Sequence, residues 1–119
     1  MMRVVAGVTA CNEERTIEPL LEALLEARPG RWPVEAVIVV SSACRDRTDE
    51  IVRGLAARDP RVSLITEPER RGKAAAINTF LSERPPGTDV TMVASADVLP
   101  FPGATEAIAA AMISLLDPG

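Results

Sequence analysis

The segment Val4–Ala10, with the sequence VVAGVTA, is a nearly unbroken run of apolar and small residues that ends at the polar stretch CNEER, residues 11–15. A short run without alternation between apolar and polar positions is typical of a strand that is buried on both faces. The segment Val34–Val40, VEAVIVV, has the same character. We therefore expect a sheet that is covered on both of its faces.

Segments with apolar residues at helical spacing separate the predicted strands. The pattern predicts strands over Val4–Ala10, Val34–Val40, Arg61–Thr66 and Val90–Ala94, and helices over Thr16–Ala27, Asp46–Arg58, Lys73–Ser82 and Pro102–Leu116. Strands that alternate with helical crossovers predict an α/β fold, a doubly wound and mostly parallel sheet of about four strands with helices on both faces. Residues 1–119 are expected to form a single domain.

The composition argues against several classes of function. The chain has 17 acidic and 13 basic residues and a net charge of −4, whereas a nucleic-acid binder needs a basic surface. It has no histidine, which excludes Ser-His-Asp and Cys-His catalysis and His-ligated zinc. Cys11 and Cys44 lack metal-ligand spacing, and in a reducing cytosol we expect two free thiols rather than a disulfide between them. Without a visible signal peptide or membrane segment, a cytoplasmic protein is expected.

Ligands of doubly wound sheets bind beyond the carboxyl ends of the strands, which directs attention to the segments that follow them. These are residues 11–15, 41–46, 67–73 and 95–100. In the first segment, Asn12 and the two glutamates after it have a structural interpretation as the cap of the next helix and a functional one as ligand contacts. Asp46 in the second segment is expected to be a helix N-cap.

The third and fourth segments are candidates for binding a diphosphate. The third places three cations around Gly72 at a predicted helix start, which suits an anion or forms a solvated run of charges. Asp97 in the fourth either caps a helix or holds a divalent ion between two phosphates. The chain has neither a Walker A loop nor the glycine-rich fingerprint of NAD and FAD sites.

Taken in order and spacing, the four segments resemble the N-terminal half of the inverting family 2 glycosyltransferases. The matching stretches are Thr9–Ile17 (TACNEERTI) with P-A-Y-N-E-E-x-x-I, Ile38–Thr48 with V-V-D-D-G-S-x-D-G-T, Arg71–Asn78 (RGKAAAIN) with G-K-x-x-A-L-N, and Ser95–Pro100 (SADVLP) with D-A-D-x-x-P. The resemblance covers nearly the whole chain. It implies a Rossmann-like, partial GT-A fold and sugar transfer from a nucleotide-diphosphate sugar.

The resemblance also implies which residues bind the donor. Those that would meet the base, ribose, phosphates or sugar are Thr9, Ala10, Cys11, Glu13, Ser42, Arg71, Gly72, Lys73, Ser95 and Ala96. Asp97 would coordinate Mn²⁺ or Mg²⁺ on the diphosphate. The donor is expected to be of the UDP type.

The chain departs from the family pattern where the donor would bind. Cys11 replaces the usual aromatic residue, Ser41 and Ser42 replace an acidic pair, and Ser95 replaces the first acid of the metal motif. No residue after Asp97 suits the catalytic base, which must reach the acceptor hydroxyl. We therefore expect a truncated, donor-binding portion of a glycosyltransferase that is inactive as a chain of 119 residues.

The sequence also bears on two alternative functions and on self-association of the chain. The lost acids and the missing base favour a non-catalytic nucleotide-binding or assembly module that lacks the acceptor half, whereas Asp97 and Lys73 favour descent from an active enzyme. A receiver-type signalling domain is disfavoured, because the position of its acceptor aspartate holds the stretch EPE, residues 67–69. An exposed sheet edge and the apolar face of Pro102–Leu116 predict pairing with a second copy, a homo-oligomer.

Overall fold

The computed structural model describes residues 3–26, 33–69 and 71–95, in which strands and helices alternate. The strands are β1 (Val4–Ala10), β2 (Val34–Ser42), β3 (Val62–Glu67) and β4 (Val90–Ser95), and the helices are α1 (Ile17–Glu26), α2 (Thr48–Arg58) and α3 (Lys73–Ser82). The predicted helix Pro102–Leu116 and its pairing face lie outside these ranges. No helix within them is long and apolar enough to cross a membrane.

The strands form one parallel sheet in the order β3-β2-β1-β4. Helices α1 and α2 carry the chain from β1 outward to β3, and α3 carries it back to the other side of β1. Because parallel crossovers are right-handed, α1 and α2 lie on one face of the sheet and α3 lies on the other. The predicted doubly wound α/β fold is therefore confirmed, and its crevice opens where the strand order reverses.

The larger core lies between the sheet and the pair α1 and α2. Alternate strand residues, among them Val8 and Val39, are fully buried against this face. From α1, the apolar side chains at helical spacing, such as Leu21 and Leu24, complete the same cluster. The apolar positions that predict α1 are thus the positions at which the helix packs on the sheet.

A smaller core lies on the opposite face, under α3. It joins Val5, Ile38 and Val40 of the sheet to Ala76 and Phe80 of α3. The Phe80 ring covers Gly7 of β1 so closely that a Cβ at Gly7 would lie 2.5 Å from ring atoms Cε2 and Cγ. A glycine within a strand often marks such a close approach. The close packing of α3 on the sheet therefore requires a glycine at position 7.

Strand β2 is longer than its apolar sequence predicts. It continues through Ser41 and Ser42, which pair with Thr66 and Glu67 of β3. Ser41 also pairs with Ala10 of β1. Backbone pairing with both neighbouring strands holds Ser41, and pairing with β3 holds Ser42, in the strand despite their polarity. The extension brings Ser42 beside Glu67 at the carboxyl edge of the sheet.

Candidate functional site

Three polar side chains line the α3 face of the sheet at its carboxyl edge. They are Thr9 of β1, Ser42 of β2 and Glu67 of β3, called here the polar row. Each follows a residue of the α3-side core by an even number of positions, and side chains two apart in a strand share a face. Thr9 and Ser42 are buried, whereas Glu67 is half-buried. Three neighbouring strands thus carry hydroxyl or carboxylate groups on one face, at or next to their last residues.

The Glu67 carboxylate is fixed from two directions. Its Oε1 accepts a hydrogen bond of 3.1 Å from the Ser42 hydroxyl, and its Oε2 accepts one of 2.8 Å from the Thr79 hydroxyl of α3. Its backbone carbonyl accepts from the Ala43 N–H at 2.9 Å. Sequence analysis missed Glu67 and Thr79 as site residues. The position of Glu67 at the start of the third strand-end segment was the available signal.

The loop after β1 is bound to the loop after β2 by side chains of both. The Asn12 N–H donates to the Cys44 sulfur at 3.2 Å, and the Arg45 N–H donates to Asn12 Oδ1 at 2.6 Å. The Cys44 thiol reaches the Ala10 carbonyl oxygen at 3.6 Å, and both cysteines are free thiols. The interpretation of Asn12 as the cap of α1 is therefore wrong, because its amide oxygen binds the second loop.

Two further hydrogen bonds complete this connection, called here the loop latch (residues 12–14 and 44–48). The Glu13 N–H donates to the Thr48 hydroxyl at 2.9 Å, and the Glu14 N–H donates to Asp46 Oδ2 at 3.1 Å. Asp46 Oδ1 also accepts from the Thr48 N–H at 3.0 Å and from its hydroxyl at 2.5 Å. The N-cap position of α2 is Arg47, so Asp46, predicted as the cap, lies one residue before it.

The latch lowers the pKa of the Asp46 carboxyl. Burial raises this pKa, but hydrogen bonds from the Thr48 hydroxyl and from the N–H groups of Thr48 and Glu14 outweigh burial. Because the pKa is lower in the folded chain, the carboxylate stabilises the fold at pH values above the ordinary aspartate pKa of about 3.9. That stabilisation is lost as the pH falls through the lower, folded value.

We expect Asp46→Asn to lower the free energy of unfolding at pH 7 by about 1 kcal/mol, the usual contribution of a side chain that binds helix N–H groups. The deficit should shrink as the pH falls below about 4, since Asp46 of the unfolded wild-type chain then takes up a proton that the folded chain binds only at lower pH. Urea unfolding between pH 7 and pH 3 measures both quantities. Thr48→Ser, which keeps the hydroxyl, should retain the wild-type pH profile. An Asp46→Asn deficit of equal size at pH 7 and pH 3 would contradict this account.

The loop before α3 contains the predicted phosphate-binding residues. Gly72, the N-cap residue of α3, has φ 95° and ψ 166°, a conformation that is essentially restricted to glycine. Arg71 is exposed, and Lys73 is the first residue of α3. In the part of the chain that the structure describes, no side chain caps α3. Its N-terminal N–H groups therefore suit an anion.

The predicted metal segment begins at the end of β4. Ser95, the last residue of this strand, pairs with Thr9 of the polar row, whereas Ala96 and Asp97 lie outside the described residues. Within residues 3–26, 33–69 and 71–95, no group of three or more Cys, Asp or Glu side chains forms a metal site.

A separate depression of about 250 Å³ lies at the loop latch. It is lined by Asn12, Glu13, Glu14, Arg15, Thr16 and Asp46. Of the residues predicted to bind the donor, Glu13 alone lines it. The depression and the polar row are therefore distinct features of the same edge.

Comparison with known proteins gives the family. The model of glycosyl transferase family 2 matches residues 6–115. The succinoglycan biosynthesis protein ExoA of Rhizobium meliloti is 37% identical over 83 residues, 69% of this chain and 24% of that protein. A dolichyl-phosphate beta-glucosyltransferase of Trichomonas vaginalis is 37% identical over 75 residues, 59% of this chain and 22% of that protein.

Solved structures of glycosyltransferases share the fold. The mannosyltransferase PcManGT from Pyrobaculum calidifontis, in complex with GDP-Man and Mn²⁺, has a TM-score of 0.70 and 30% identity over 94% of this chain and 32% of its own. Glucosyl-3-phosphoglycerate synthase from Mycobacterium tuberculosis, in complex with Mn²⁺, UDP and glucosyl-3-phosphoglycerate, has a TM-score of 0.62 and 23% identity over 86% of this chain and 36% of its own.

The chain spans between 22% and 36% of the length of these proteins. The sheet order and the family match over residues 6–115 lead to the same assignment. The resemblance stated from the four sequence motifs is confirmed. The chain belongs to glycosyl transferase family 2, and its sheet and helices are those of a GT-A fold.

Proposed function

We propose that this chain binds a nucleotide-diphosphate sugar, together with a divalent cation, as the donor-binding portion of a glycosyltransferase. The observation that carries the proposal is the meeting of polar row, loop latch and α3 N-terminus at one edge of a family 2 sheet. In a doubly wound sheet this edge is where ligands bind. PcManGT, which is 30% identical, carries GDP-Man and Mn²⁺.

The nucleoside would lie against the ends of β1 and β2. Thr9, Ala10 and Cys11 present a hydroxyl, a small side chain and a thiol there, and Glu13 is held by the latch. The Ser42 hydroxyl already donates a hydrogen bond to Glu67. Ser42 would therefore contribute to binding by orienting that carboxylate. These small groups leave the backbone accessible to a flat base.

The diphosphate would lie towards α3 and the end of β4. Arg71 and Lys73 supply positive charge, and the uncapped helix start supplies N–H donors. Mn²⁺ or Mg²⁺ is commonly held by one or two carboxylates and by substrate phosphate oxygens, so the single carboxylate of Asp97 fits such an ion. When bound, the ion neutralises charge on the departing nucleoside diphosphate. Ser95 and Ala96 would line its approach.

For sugar transfer, the acceptor hydroxyl needs a carboxylate base within hydrogen-bond reach. We propose that this chain binds the donor without transferring the sugar by itself. The second candidate function, a nucleotide-binding module without catalysis, is favoured by the serines at positions 41, 42 and 95, where the family pattern has acids. Mn²⁺-dependent binding of the nucleoside diphosphate would favour the donor-binding portion of an enzyme, and binding that is independent of the ion would favour the module.

Calorimetric titration of the purified chain with UDP, GDP, ADP and CDP, each with and without Mn²⁺, tests the donor site. We expect one nucleoside diphosphate to bind, and to bind at least about tenfold more tightly with Mn²⁺. The UDP expectation and the GDP-Man of PcManGT predict different best ligands, so the same titration decides between them. Absence of binding for all four nucleotides, with or without metal, would refute the proposed function.

A further inference from the structure

We infer that Glu67 reads the base of the bound nucleotide and selects bases with a protonated ring nitrogen, uracil and guanine, over cytosine and adenine. The inference rests on the proposed function, because it places a nucleotide at the carboxyl edge of the sheet. It adds a specificity-determining residue on β3 to the predicted donor-binding residues.

The first observation is that the carboxylate is oriented but not saturated. Ser42 and Thr79 each donate one hydrogen bond to it, one to each oxygen. An ionised carboxylate has about four acceptor sites, so one site on each oxygen is available. The two donors come from β2 and from α3, which restrict the rotation of the side chain. A fixed pair of acceptors is suited to reading donors at defined positions.

The second observation concerns charge. Within the described residues, the three ion pairs join Arg3 to Glu35, Arg47 to Glu50 and Arg61 to Asp59, so none of them neutralises Glu67. Both carboxylate oxygens of Glu67 already accept hydrogen bonds from hydroxyl groups, and no metal-binding group of three occurs in that part of the chain. A phosphate would be repelled. Neutral N–H groups are therefore the ligands that Glu67 accepts best.

The bases differ in what they offer such an acceptor. Guanine presents a ring N–H beside an amino group, and uracil presents a ring N–H between two carbonyl oxygens. Cytosine and adenine present a ring nitrogen with a lone pair, which a carboxylate repels, beside one amino group. Hydrogen bonds to charged groups are stronger than those between neutral groups. Uracil and guanine, which have a ring N–H, therefore gain more from Glu67 than cytosine and adenine, which do not.

The test compares nucleotides that differ in this edge but share ring size. The ratios of the dissociation constants, CDP to UDP and ADP to GDP, are measured with Mn²⁺ for wild type and for Glu67→Gln. We expect a wild-type ratio of at least about tenfold in one pair, and a fall of about tenfold in that ratio for the variant, because glutamine also donates to a ring lone pair. Glu69→Gln, which removes the charge of an exposed neighbour, should leave the ratio unchanged.

The outcomes separate the inference from the proposed function. If the wild type binds no nucleotide, both are overturned. If it binds CDP or ADP as tightly as UDP or GDP, the inference alone is overturned, and this holds even where Glu67→Gln does not fold. An unchanged ratio in a folded Glu67→Gln variant, or an equal change in Glu69→Gln, overturns it as well.

Discussion

Gly7→Ala is expected to lower the free energy of unfolding by about 3 kcal/mol, the upper end of the usual cost of overpacking a core. The added methyl group would meet three atoms of the Phe80 ring, two of them at 2.5 Å. Both contact partners are confined, because Gly7 lies in a central strand and Phe80 is 1% exposed. The clash can therefore be relieved only if α3 moves away from the sheet, and this movement opens the smaller core.

Gly54→Ala is the matched control, because Gly54 lies within α2 and a Cβ there would meet no atom within 4 Å. Alanine is favoured over glycine in a helix by about 1 kcal/mol, so this variant should be more stable than wild type. Urea unfolding of both variants gives the two values. Phe80→Leu should cost less in the Gly7→Ala background than in wild type. Two glycine variants of the same sign and size would contradict the contact.

Asp97→Asn is expected to abolish the effect of Mn²⁺ on nucleotide binding. The segment SADVLP, residues 95–100, contains a single carboxylate, because Ser95 stands where the family pattern has a first acid. Removing Asp97 leaves neutral oxygens, which bind a divalent cation weakly. Nucleotide affinity in the presence of Mn²⁺ should therefore fall about tenfold or more, to the value measured without the ion.

Calorimetric titration of wild type and Asp97→Asn, each with and without Mn²⁺, measures this loss. Glu83→Gln is a control of equal charge change, because Glu83 is exposed at the opposite end of α3, at its C-cap. It should keep the full response to the ion. An Asp97→Asn chain whose binding Mn²⁺ strengthens as much as it does in wild type would show that the cation is held elsewhere.

The sequence by itself determined the order of the elements, the parallel sheet and the edge at which a donor site is predicted. These follow from local properties: the apolar runs at Val4–Ala10 and Val34–Val40, the helical spacing in α1, and the glycine at the start of α3. Periodicity records which faces are buried, and alternation of strands and helices leaves few topologies. The four family motifs then predicted a donor site at the same edge.

Only the tertiary structure decided which polar groups meet. Asparagine is a residue type that often caps helices. In the fold, however, the loop after β2 lies beside Asn12, and its Arg45 N–H donates to the Asn12 side chain. Glu67 meets Ser42 because β2 continues two residues further in register with β3, and it meets Thr79 because α3 crosses that face. Hydrogen bonds between residues far apart in the chain depend on strand register and helix placement. Those are properties of packing, and local sequence does not encode them.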